Sequence, residues 1–457
     1  MEQMSEKDVP GLLVRQVCVR LLGAILDKHT SFSGLTDHVN GHPLYLKLPH
    51  RDRLLCRAIL ATALRHRGQI ESALSRFLKR SLPSRATALQ HLLHVSAAQI
   101  LYLDIPNHAA IDLAVRIAKI DPRMRHFSKL VNAVLRNFAR EVGILHVCVP
   151  TLHDVPEWFG QLLVSTYGID KTRQILAVQQ NTPPLDLTVK SDSAYWAEKL
   201  GGKVLPNGSV RLVDPDHSVV DLPGYAEGAW WVQDIAASLP ARLLGDIRGK
   251  QVADLCASPG GKTAQLVLQG ASVTAVDLSV RRLERLKANM DRLKFAVHYW
   301  VGDVRDFHPE NLFDAVLLDA PCSSTGTIRR HPDILWTKSR DDVLKLAVLQ
   351  YDLLLAAIAL VKKGGCIVFS NCSLAKEEGE DLIEKVLSTC NNVVLEPILA
   401  YELGGMKHLL TENGAVRTTP ADFCGVAEVV DFENAHTEDA LFWGMDGFYT
   451  ARLRKVA

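Results

Sequence analysis

Two cysteines stand directly after apolar runs of the kind that form buried strands. Cys322 follows FDAVLLD within the stretch DAPCSSTG, and Cys372 lies at the end of CIVFSNCSL. Pro321 cannot donate to a strand ladder, and the small polar residues after Cys322 favour a loop. A thiolate is a strong nucleophile when its environment favours ionisation. The spacing therefore predicts two thiols at the ends of two strands, where one can attack a substrate and the other can assist.

Methylation of carbon 5 of a pyrimidine is a reaction that suits such a pair. Carbon 5 is a poor nucleophile, but a thiolate that adds to carbon 6 makes it enamine-like, so that it accepts a methyl group. A base must then remove the carbon 5 proton before the thiol is expelled. Asp319, three residues before Cys322, is placed to supply a proton at nitrogen 3. Six other cysteines are predicted to be small buried hydrophobes: Cys18, Cys56, Cys148, Cys366, Cys390 and Cys424.

The elements that position these residues follow from the hydrophobic pattern after about residue 240. Five strand-like runs alternate with amphipathic segments: QVADLC, SVTAVD, HYWVGD, FDAVLLD and GCIVFSN. This alternation predicts a doubly wound parallel sheet, in which ligands bind at the carboxyl ends of the strands. Both thiols are therefore expected at the ligand-binding edge.

A glycine loop, DLCASPGGKTAQL, follows the first of these strands and opens a helix. A phosphate-binding loop of the GxxxxGK[ST] type would need glycine where Cys256 stands, and a dinucleotide fingerprint GxGxxG is missing. An adenosyl cofactor without a pyrophosphate remains, namely S-adenosyl-L-methionine. Asp277, at the end of the second strand, is placed to hold ribose hydroxyls, and Asp303, after the third, to reach the adenine edge or the amino acid moiety. Strand-end aspartates also serve as helix caps or turn formers. Three of them at the ends of successive strands, Asp277, Asp303 and Asp319, favour a binding role.

The first ~145 residues have helical periodicity. In IPNHAAIDLAVRIAK the apolar residues Ile111, Ala114, Val115 and Ala118 predict one buried face, and FSKLVNAVLRNFAR predicts a second amphipathic helix. Residues 1–150 contain 21 Lys and Arg against 11 Asp and Glu, a net +10, whereas the remainder contains 31 against 40, a net −9. This asymmetry favours a basic module that binds a polyanion, and the alternative is helix faces that are merely solvated. Prolines at 150 and 156 mark a boundary, after which a helix and short strands predict a small α+β domain.

The composition is that of an ordinary globular chain, with 457 residues, 47% hydrophobic and 23% charged. No apolar run approaches the length of a membrane span, and the first residues lack a signal-peptide core. Nine cysteines without CxxC pairs indicate neither a disulfide framework nor a structural zinc site. We therefore expect a cytoplasmic, metal-free monomer that does not bind membranes.

Four motifs resemble those of RNA cytosine-C5 methyltransferases of the Fmu/Sun type: DLCASPGGKT, DAPCSSTGTIRRHPDI, SNCSLAKEEGE and DGFYTARLRK. The helical start resembles the NusB-like RNA-binding domain that is fused to bacterial members acting on small-subunit ribosomal RNA. The resemblance implies three domains: an all-α NusB-like domain (1–145), a small α+β linker domain of ferredoxin or RRM type (146–238), and an α/β Rossmann-like methyltransferase domain (239–457). It implies 16S ribosomal RNA, or an assembly intermediate of the small subunit, as substrate.

The resemblance also assigns roles to single residues. Cys372 would be the nucleophile, Cys322 would assist product release, and Asp319 would serve both the proton at nitrogen 3 and the cofactor. The cofactor set implied is Cys256, Ala257, Ser258, Pro259, Gly260, Gly261, Lys262, Asp277, Asp303 and Asp319. Arg329, Arg330 and His331 are expected to contact phosphates at the mouth of the site or to form an ordinary solvated loop.

Three positions depart from the family pattern: Ser258 stands for alanine, Asn371 for threonine, and LDLTVK for LRVN, which is expected to alter an RNA contact. A non-catalytic RNA-binding scaffold and a nicotinamide dehydrogenase are the rival hypotheses. The intact thiol pair with its unbroken glycine loop disfavours the first, and the missing GxGxxG disfavours the second.

Overall fold

The computed structural model describes residues 9–145, 151–213, 218–422 and 444–457. Cys148 and Cys424, predicted above to be buried, lie outside these residues. The chain forms two compact units: one runs up to Asn181 and includes Ile328–Ser339, and the other comprises Thr182–Thr327 and Arg340–Ala457. This division differs from the three domains expected from the sequence, because the second unit contains both the small sheet and the large one.

The first unit is built from helices around a core of leucine, isoleucine, valine and alanine side chains. Most of the helix Thr87–Tyr102 is buried, and it packs against the helices Leu12–Lys28, His50–Arg65 and Asn107–Ile120. The described helices are α1 (Leu12–Lys28), α2 (Phe32–Leu35), α3 (Pro43–Leu46), α4 (His50–Arg65), α5 (Arg67–Ser75), α6 (Thr87–Tyr102), α7 (Asn107–Ile120), α8 (Ser128–Arg140), α9 (Val142–Leu145) and α10 (Glu157–Gln179), with α10 broken at Gly168.

The helices expected at 107–120 and 128–140 are confirmed, but the buried face of α7 is not the one expected. Leu113 and Ile117 are buried together with Ala110, Ala114 and Ala118. Ile111 and Val115, assigned to the core from their spacing, are only half-buried. A stripe displaced by one residue keeps the same period, so periodicity found the helix but not its exact orientation.

The second unit begins with a four-stranded antiparallel sheet. Its elements are β1 (Leu185–Val189), α11 (Ser193–Leu200), β2 (Lys203–Val204), β3 (Val210–Leu212) and β4 (Trp230–Val232), and the strand order is β2-β3-β1-β4. Asp186 on β1 and Arg211 on β3 form a fully buried bidentate ion pair, with distances of 2.6 and 2.7 Å. The second carboxylate oxygen of Asp186 also accepts a hydrogen bond from the backbone N–H of Ile235.

The ion pair and its neighbour overturn one expectation. The stretch LDLTVK, in which Asp186 and Thr188 are polar residues of β1, was expected to alter an RNA contact. Both are buried, and the Thr188 hydroxyl donates to Gln233 at 2.9 Å. The departure from the family pattern is therefore an internal packing change, because polar side chains in a sheet interior must find partners inside the protein.

The strands of the large sheet are β5 (Gln251–Leu255), β6 (Ser272–Asp277), β7 (His298–Val301), β8 (Phe313–Asp319), β9 (Val361–Asn371), β10 (Val393–Leu395), β11 (Val416–Thr418) and β12 (Phe448–Lys455). Their order is β10-β12-β9-β8-β5-β6-β7, and β11 pairs with β12. The helices of this unit are α12 (Ile235–Arg242), α13 (Gly261–Leu268), α14 (Val280–Leu293), α16 (Arg340–Ala359) and α17 (Glu380–Thr389). Helix α15 (Ile334–Thr337) lies between α14 and α16 in the chain but belongs to the first unit.

Strands β5 to β9 are parallel, which confirms the five strands expected from the sequence. Strand order reverses between β5 and β8, and ligands bind at such a switch point in open α/β sheets. Strand β12 lies antiparallel to β9 and was not predicted as a strand. The loops after β5, β8 and β9 therefore share one edge of the sheet.

The segment Ile328–Ser339 leaves the loop after β8 and belongs to the helical unit, where it contains α15. The Asp333 carboxylate accepts the backbone N–H of Phe32 at 2.9 Å, and the Trp336 indole donates to the carbonyl of Leu64 at 2.9 Å. Arg329 is 2% exposed, and its carbonyl accepts a hydrogen bond from Arg65. The phosphate contact expected for Arg329 is therefore wrong, since a buried guanidinium packs within the protein.

No helix in the described ranges is long and apolar enough to cross a bilayer.

Candidate functional site

The two thiols predicted to work together are in contact. The Sγ atoms of Cys322 and Cys372 lie 3.4 Å apart, and both side chains are half-buried. Cys322 follows β8 and Cys372 follows β9, which are adjacent parallel strands. The carboxyl ends of adjacent parallel strands meet at one edge, so the position of the pair follows directly from the strand order.

A close approach of backbone fixes the loops that carry the thiols. The N–H of Gly326 donates to the carbonyl of Cys372, and the N–H of Gly447 donates to the carbonyl of Gly326, both at 2.9 Å. A Cβ atom on Gly326 would lie 1.9 Å from the carbonyl oxygen of Gly447, which no side chain tolerates. The glycine in CSSTG is therefore required by packing, and it ties the Cys322 loop to the Cys372 loop and to the residue before β12.

The environment of Cys322 disfavours its thiolate. The hydrogen bond with Cys372, followed by burial, raises the pKa of Cys322 well above the ordinary value of a thiol. Cys322 therefore keeps its proton at neutral pH and can donate a hydrogen bond to the sulfur of Cys372.

Asp319 links the thiol loops to the glycine loop. One carboxylate oxygen accepts a hydrogen bond from the Lys262 ammonium at 2.7 Å, and the other accepts the hydroxyl of Ser370 at 2.9 Å. The ammonium of Lys262 also lies 5.0 Å from the centre of the Phe448 ring on β12. Lys262 was expected only among the cofactor residues. In the structure its ammonium group is buried and forms an ion pair with Asp319.

The glycine loop is bound to the carboxylate of Asp277. That side chain is buried, and its two oxygens accept the backbone N–H groups of Ser258 and Ser279, each at 3.1 Å. Each carboxylate oxygen has a further acceptor position. Gly260 caps α13 at φ 103°, and a Cβ there would lie 2.9 Å from Leu286. The loop thus forms a cradle of backbone beside an acidic strand end, which fits an adenosyl cofactor whose ribose hydroxyls need acceptors.

Two further buried groups of the cradle have unused hydrogen-bonding atoms. Within the described residues, Oδ1 of Asp254 and the hydroxyl of Ser258 are buried and have no protein partner. Burial raises the pKa of Asp254 to about 7, although Thr263 donates to its other oxygen. Burial likewise raises the pKa of Cys256 to about 12, so this thiol is inert at neutral pH. Unused polar atoms in a cradle are consistent with a ligand that supplies their partners.

Asp303 has a different environment from Asp277. Arg305 donates to both of its oxygens, and these hydrogen bonds lower the pKa of Asp303 to about 2. Asp303 also caps a short helical turn through the N–H of Arg305. Its assignment to the adenine edge or amino acid moiety remains a prediction, and any ligand there meets a carboxylate that already has a cation.

The residues that sequence reasoning missed are those that support the thiols. Ser370 binds Asp319, and Glu378 binds the serines that follow both cysteines. The signal was present in the repeated dipeptide Cys-Ser, at Cys322-Ser323 and Cys372-Ser373. Two hydroxyls in equivalent places indicate a shared partner, but the sequence does not say which acidic residue provides it.

The strand order, the glycine cradle and the acidic strand ends define a methyltransferase of the S-adenosylmethionine-dependent class. A family model described as 16S rRNA methyltransferase RsmB/F matches residues 241–454, and the NusB family model matches residues 13–140. The ribosomal RNA small subunit methyltransferase B of Pasteurella multocida is 31% identical, with 99% of this chain and 98% of that protein covered. The protein of the same name from Yersinia enterocolitica is 33% identical over 82% of this chain and 90% of its own length.

Solved structures agree with the fold. PH0851 superposes with a TM-score of 0.70 and 21% identity, covering 99% of this chain and 100% of that one. NSun6 from Pyrococcus horikoshii, solved with SFG, gives a TM-score of 0.53 and 18% identity, covering 66% of this chain and 98% of that one. The chain belongs to the 16S rRNA methyltransferase RsmB/F family, and it is an RNA methyltransferase. This membership excludes the dehydrogenase and the non-catalytic scaffold.

Proposed function

We propose that this enzyme transfers a methyl group from S-adenosyl-L-methionine to carbon 5 of a cytosine in 16S ribosomal RNA, through a covalent bond between Cys372 and carbon 6. The observation that carries the proposal is the contact of Cys322 with Cys372 at 3.4 Å, at the same sheet edge as the glycine cradle. Methyl transfer to nitrogen or oxygen does not require a thiol, because those atoms already have a lone pair. A pair of thiols suits an acceptor carbon that must first be activated.

The cofactor would be held by the loop from Cys256 to Lys262 and by Asp277, with Asp303 and Asp319 nearby on the neighbouring strands. When bound, S-adenosyl-L-methionine supplies an electrophilic methyl group. The buried carboxylate of Asp277, with its free acceptor positions, suits two ribose hydroxyls. The unused oxygen of Asp254 and hydroxyl of Ser258 add polar atoms to the same cradle.

The first step falls to Cys372. Its thiolate forms a bond to carbon 6, and the electrons of the 5,6 double bond move toward carbon 5 and nitrogen 3. Asp319 is the group expected to deliver a proton at nitrogen 3, and because both of its oxygens accept hydrogen bonds, that proton comes from the Lys262 ammonium, 2.7 Å away. Neutralising the ring in this way lowers the cost of the attack, since charge would otherwise accumulate on a partly buried base.

The last step falls to Cys322. Once Cys372 is a thioether, it no longer carries the negative charge or accepts the hydrogen bond that raises the pKa of Cys322. Cys322 can then ionise and take the proton from carbon 5. The electrons of that C–H bond rebuild the double bond, Cys372 leaves as a thiolate, and the proton on nitrogen 3 returns to Asp319. The same contact therefore keeps Cys322 protonated during attack and releases it for the elimination.

The helical unit is proposed to bind ribosomal RNA through phosphates. The net charge of +10 over residues 1–150 and the match to the NusB family support this role. The relatives from Pasteurella and Yersinia are named for the small-subunit RNA. We further propose that the enzyme is a cytoplasmic monomer with the three domains expected from the sequence, acting on 16S RNA or on an assembly intermediate.

The test is to identify the methylated nucleoside. Purified enzyme, methyl-labelled cofactor and 16S RNA are incubated, the RNA is digested to nucleosides, and the label is assigned by chromatography with mass spectrometry. We expect 5-methylcytidine from the natural protein and from Cys366→Ala, a buried cysteine of β9, and none from Cys372→Ala. Label on a nitrogen, an oxygen or another base would contradict the proposal.

A further inference from the structure

One buried carboxylate binds the residues that follow both cysteines. Glu378 is 0% exposed. Its Oε1 accepts the backbone N–H of Ser323 at 2.8 Å, and its Oε2 accepts the hydroxyl of Ser323 at 2.5 Å. The same Oε2 accepts the hydroxyl of Ser373. Because Ser323 follows Cys322 and Ser373 follows Cys372, this side chain connects the two thiol loops.

Other polar groups hold Glu378 in place. Gln350 on α16 donates to Oε1 at 2.8 Å, and Asn371 donates both to Gln350 at 3.0 Å and to the carbonyl of Glu378 at 2.5 Å. The oxygen of Asn371 accepts the N–H of Ser373 at 3.0 Å. Asn371, which departs from the family's threonine, is thus part of the same network. A threonine hydroxyl could not donate twice and accept in this way.

Among the described residues, the Glu378 carboxylate forms no ion pair, although Arg417 donates to the carbonyl of Ser373 and pairs with Glu380. Burial raises the pKa of Glu378, although four donors surround the carboxylate. Two of these donors, an N–H and an amide, are fixed in direction, whereas the two serine hydroxyls can rotate. Because the serine hydroxyls can rotate, the site can hold either a carboxylate or a neutral amide of the same shape. The side chain at position 378 therefore connects the two loops by its hydrogen bonds, and its charge is not required.

We propose that Glu378 is a positioning residue that holds Cys322 and Cys372 in contact, so that both thiols meet the same base. This inference rests on the proposed function. It explains why serine follows each cysteine and why one buried carboxyl group accepts hydrogen bonds from both loops. Displacement of a reacting group by about 1 Å can reduce a rate by roughly a hundredfold, so two thiols on separate loops need such a connection.

The proposal can be tested without RNA. Phenylarsine oxide bonds to two neighbouring thiols and releases water, and digestion with mass spectrometry identifies which cysteines are bridged. We measure the dithiol concentration that removes the arsenic from the Cys322–Cys372 pair. Glu378→Ala should lower this concentration about tenfold or more, because the loops separate. Glu378→Gln should retain it, since the amide keeps one acceptor for the fixed donors and can donate to the serine hydroxyls.

Controls make each outcome decisive. Glu377→Gln alters the adjacent glutamate, which pairs with Arg340 and does not contact the thiol loops. It should behave as the natural protein. If Glu378→Ala does not fold, as judged by its thermal unfolding, the double variant Ser323→Ala, Ser373→Ala replaces it and should also weaken the bridge. Unchanged arsenic retention in whichever of these two variants folds would overturn the proposal.

A kinetic readout separates this inference from the proposed function. In the methylation assay Glu378→Ala should lower kcat at unchanged KM for the cofactor, and Glu378→Gln should restore kcat to within a fewfold of the natural enzyme. If carbon 5 of cytosine is not the acceptor, the arsenic measurement still decides whether Glu378 holds the thiols. If the bridge weakens but kcat does not change, thiol contact is not needed for catalysis and the positioning role is overturned.

Discussion

Replacement of Asp277 tests the cofactor cradle. The side chain is buried, and its oxygens bind the N–H groups of Ser258 and Ser279 at 3.1 Å, while Arg282 lies 3.5 Å away. Asp277→Ala removes the proposed ribose acceptor and also releases the glycine loop at Ser258. The loss of a charged hydrogen-bonding partner costs about 1–3 kcal/mol, which corresponds to roughly a 5- to 150-fold rise in the Kd of the cofactor.

Asp277→Asn separates the two contributions. The amide keeps one acceptor for a backbone N–H but turns an NH₂ group toward the other donor, so we expect weaker binding than in the natural protein and tighter binding than in Asp277→Ala. Titration calorimetry with S-adenosyl-L-methionine measures both variants. Asp314→Ala is the control, because Asp314 lies on β8, is bound to Lys362, and has no assigned role. Natural affinity in Asp277→Ala would refute the ribose assignment.

Two further predictions concern pH and salt. The pKa of Asp254 is about 7 in the folded protein and near 3.8 when unfolded, so the folded state binds this proton more tightly and stability falls as pH rises from about 4 to 7. Asp254→Asn should remove up to about 4 kcal/mol of this pH dependence, and thermal unfolding at pH 4 and pH 8 that shows the same difference from the natural protein would be evidence against it. Charge reversal of the exposed residues Arg76, Lys79 and Arg80 should weaken RNA binding and reduce the slope of log Kd against log salt by roughly 0.7 per lost phosphate contact, and an unchanged slope would exclude these residues from the RNA surface.

The large sheet could be predicted because each of its five parallel strands is an apolar run that ends in a turn. Strand β12 was missed, since its sequence FYTARLRK carries arginines that in the structure bind Glu396 and Glu402. Long charged side chains on a strand obscure the apolar signal until their partners are known. The same limit applies to Asp186, whose burial depends on Arg211 some 25 residues later.

The thiol site was predictable in outline for a similar reason. Strand ends are readable from local sequence, so Cys322, Cys372 and Asp319 could be placed at one edge of the sheet. Their supports could not be, because each supporting hydrogen bond joins residues that are far apart in the chain: Glu378 with Ser323, Gln350 with Glu378, and Ser370 with Asp319. Hydrogen-bond partners at long sequence separation leave no periodic signal.

The covalent bond between Cys372 and RNA is the central claim, and trapping it is the most direct test. Cys322→Ala removes the proposed base for the last step, so attack and methyl transfer should proceed while release is slow. With 16S RNA and labelled cofactor, this variant should give a protein–RNA band on a denaturing gel, with the RNA attached at Cys372 by mass spectrometry. Cys372→Ala and the double variant should give no band. A band in Cys372→Ala but not in Cys322→Ala would reverse the two roles, and the absence of a band in every variant would contradict the covalent mechanism.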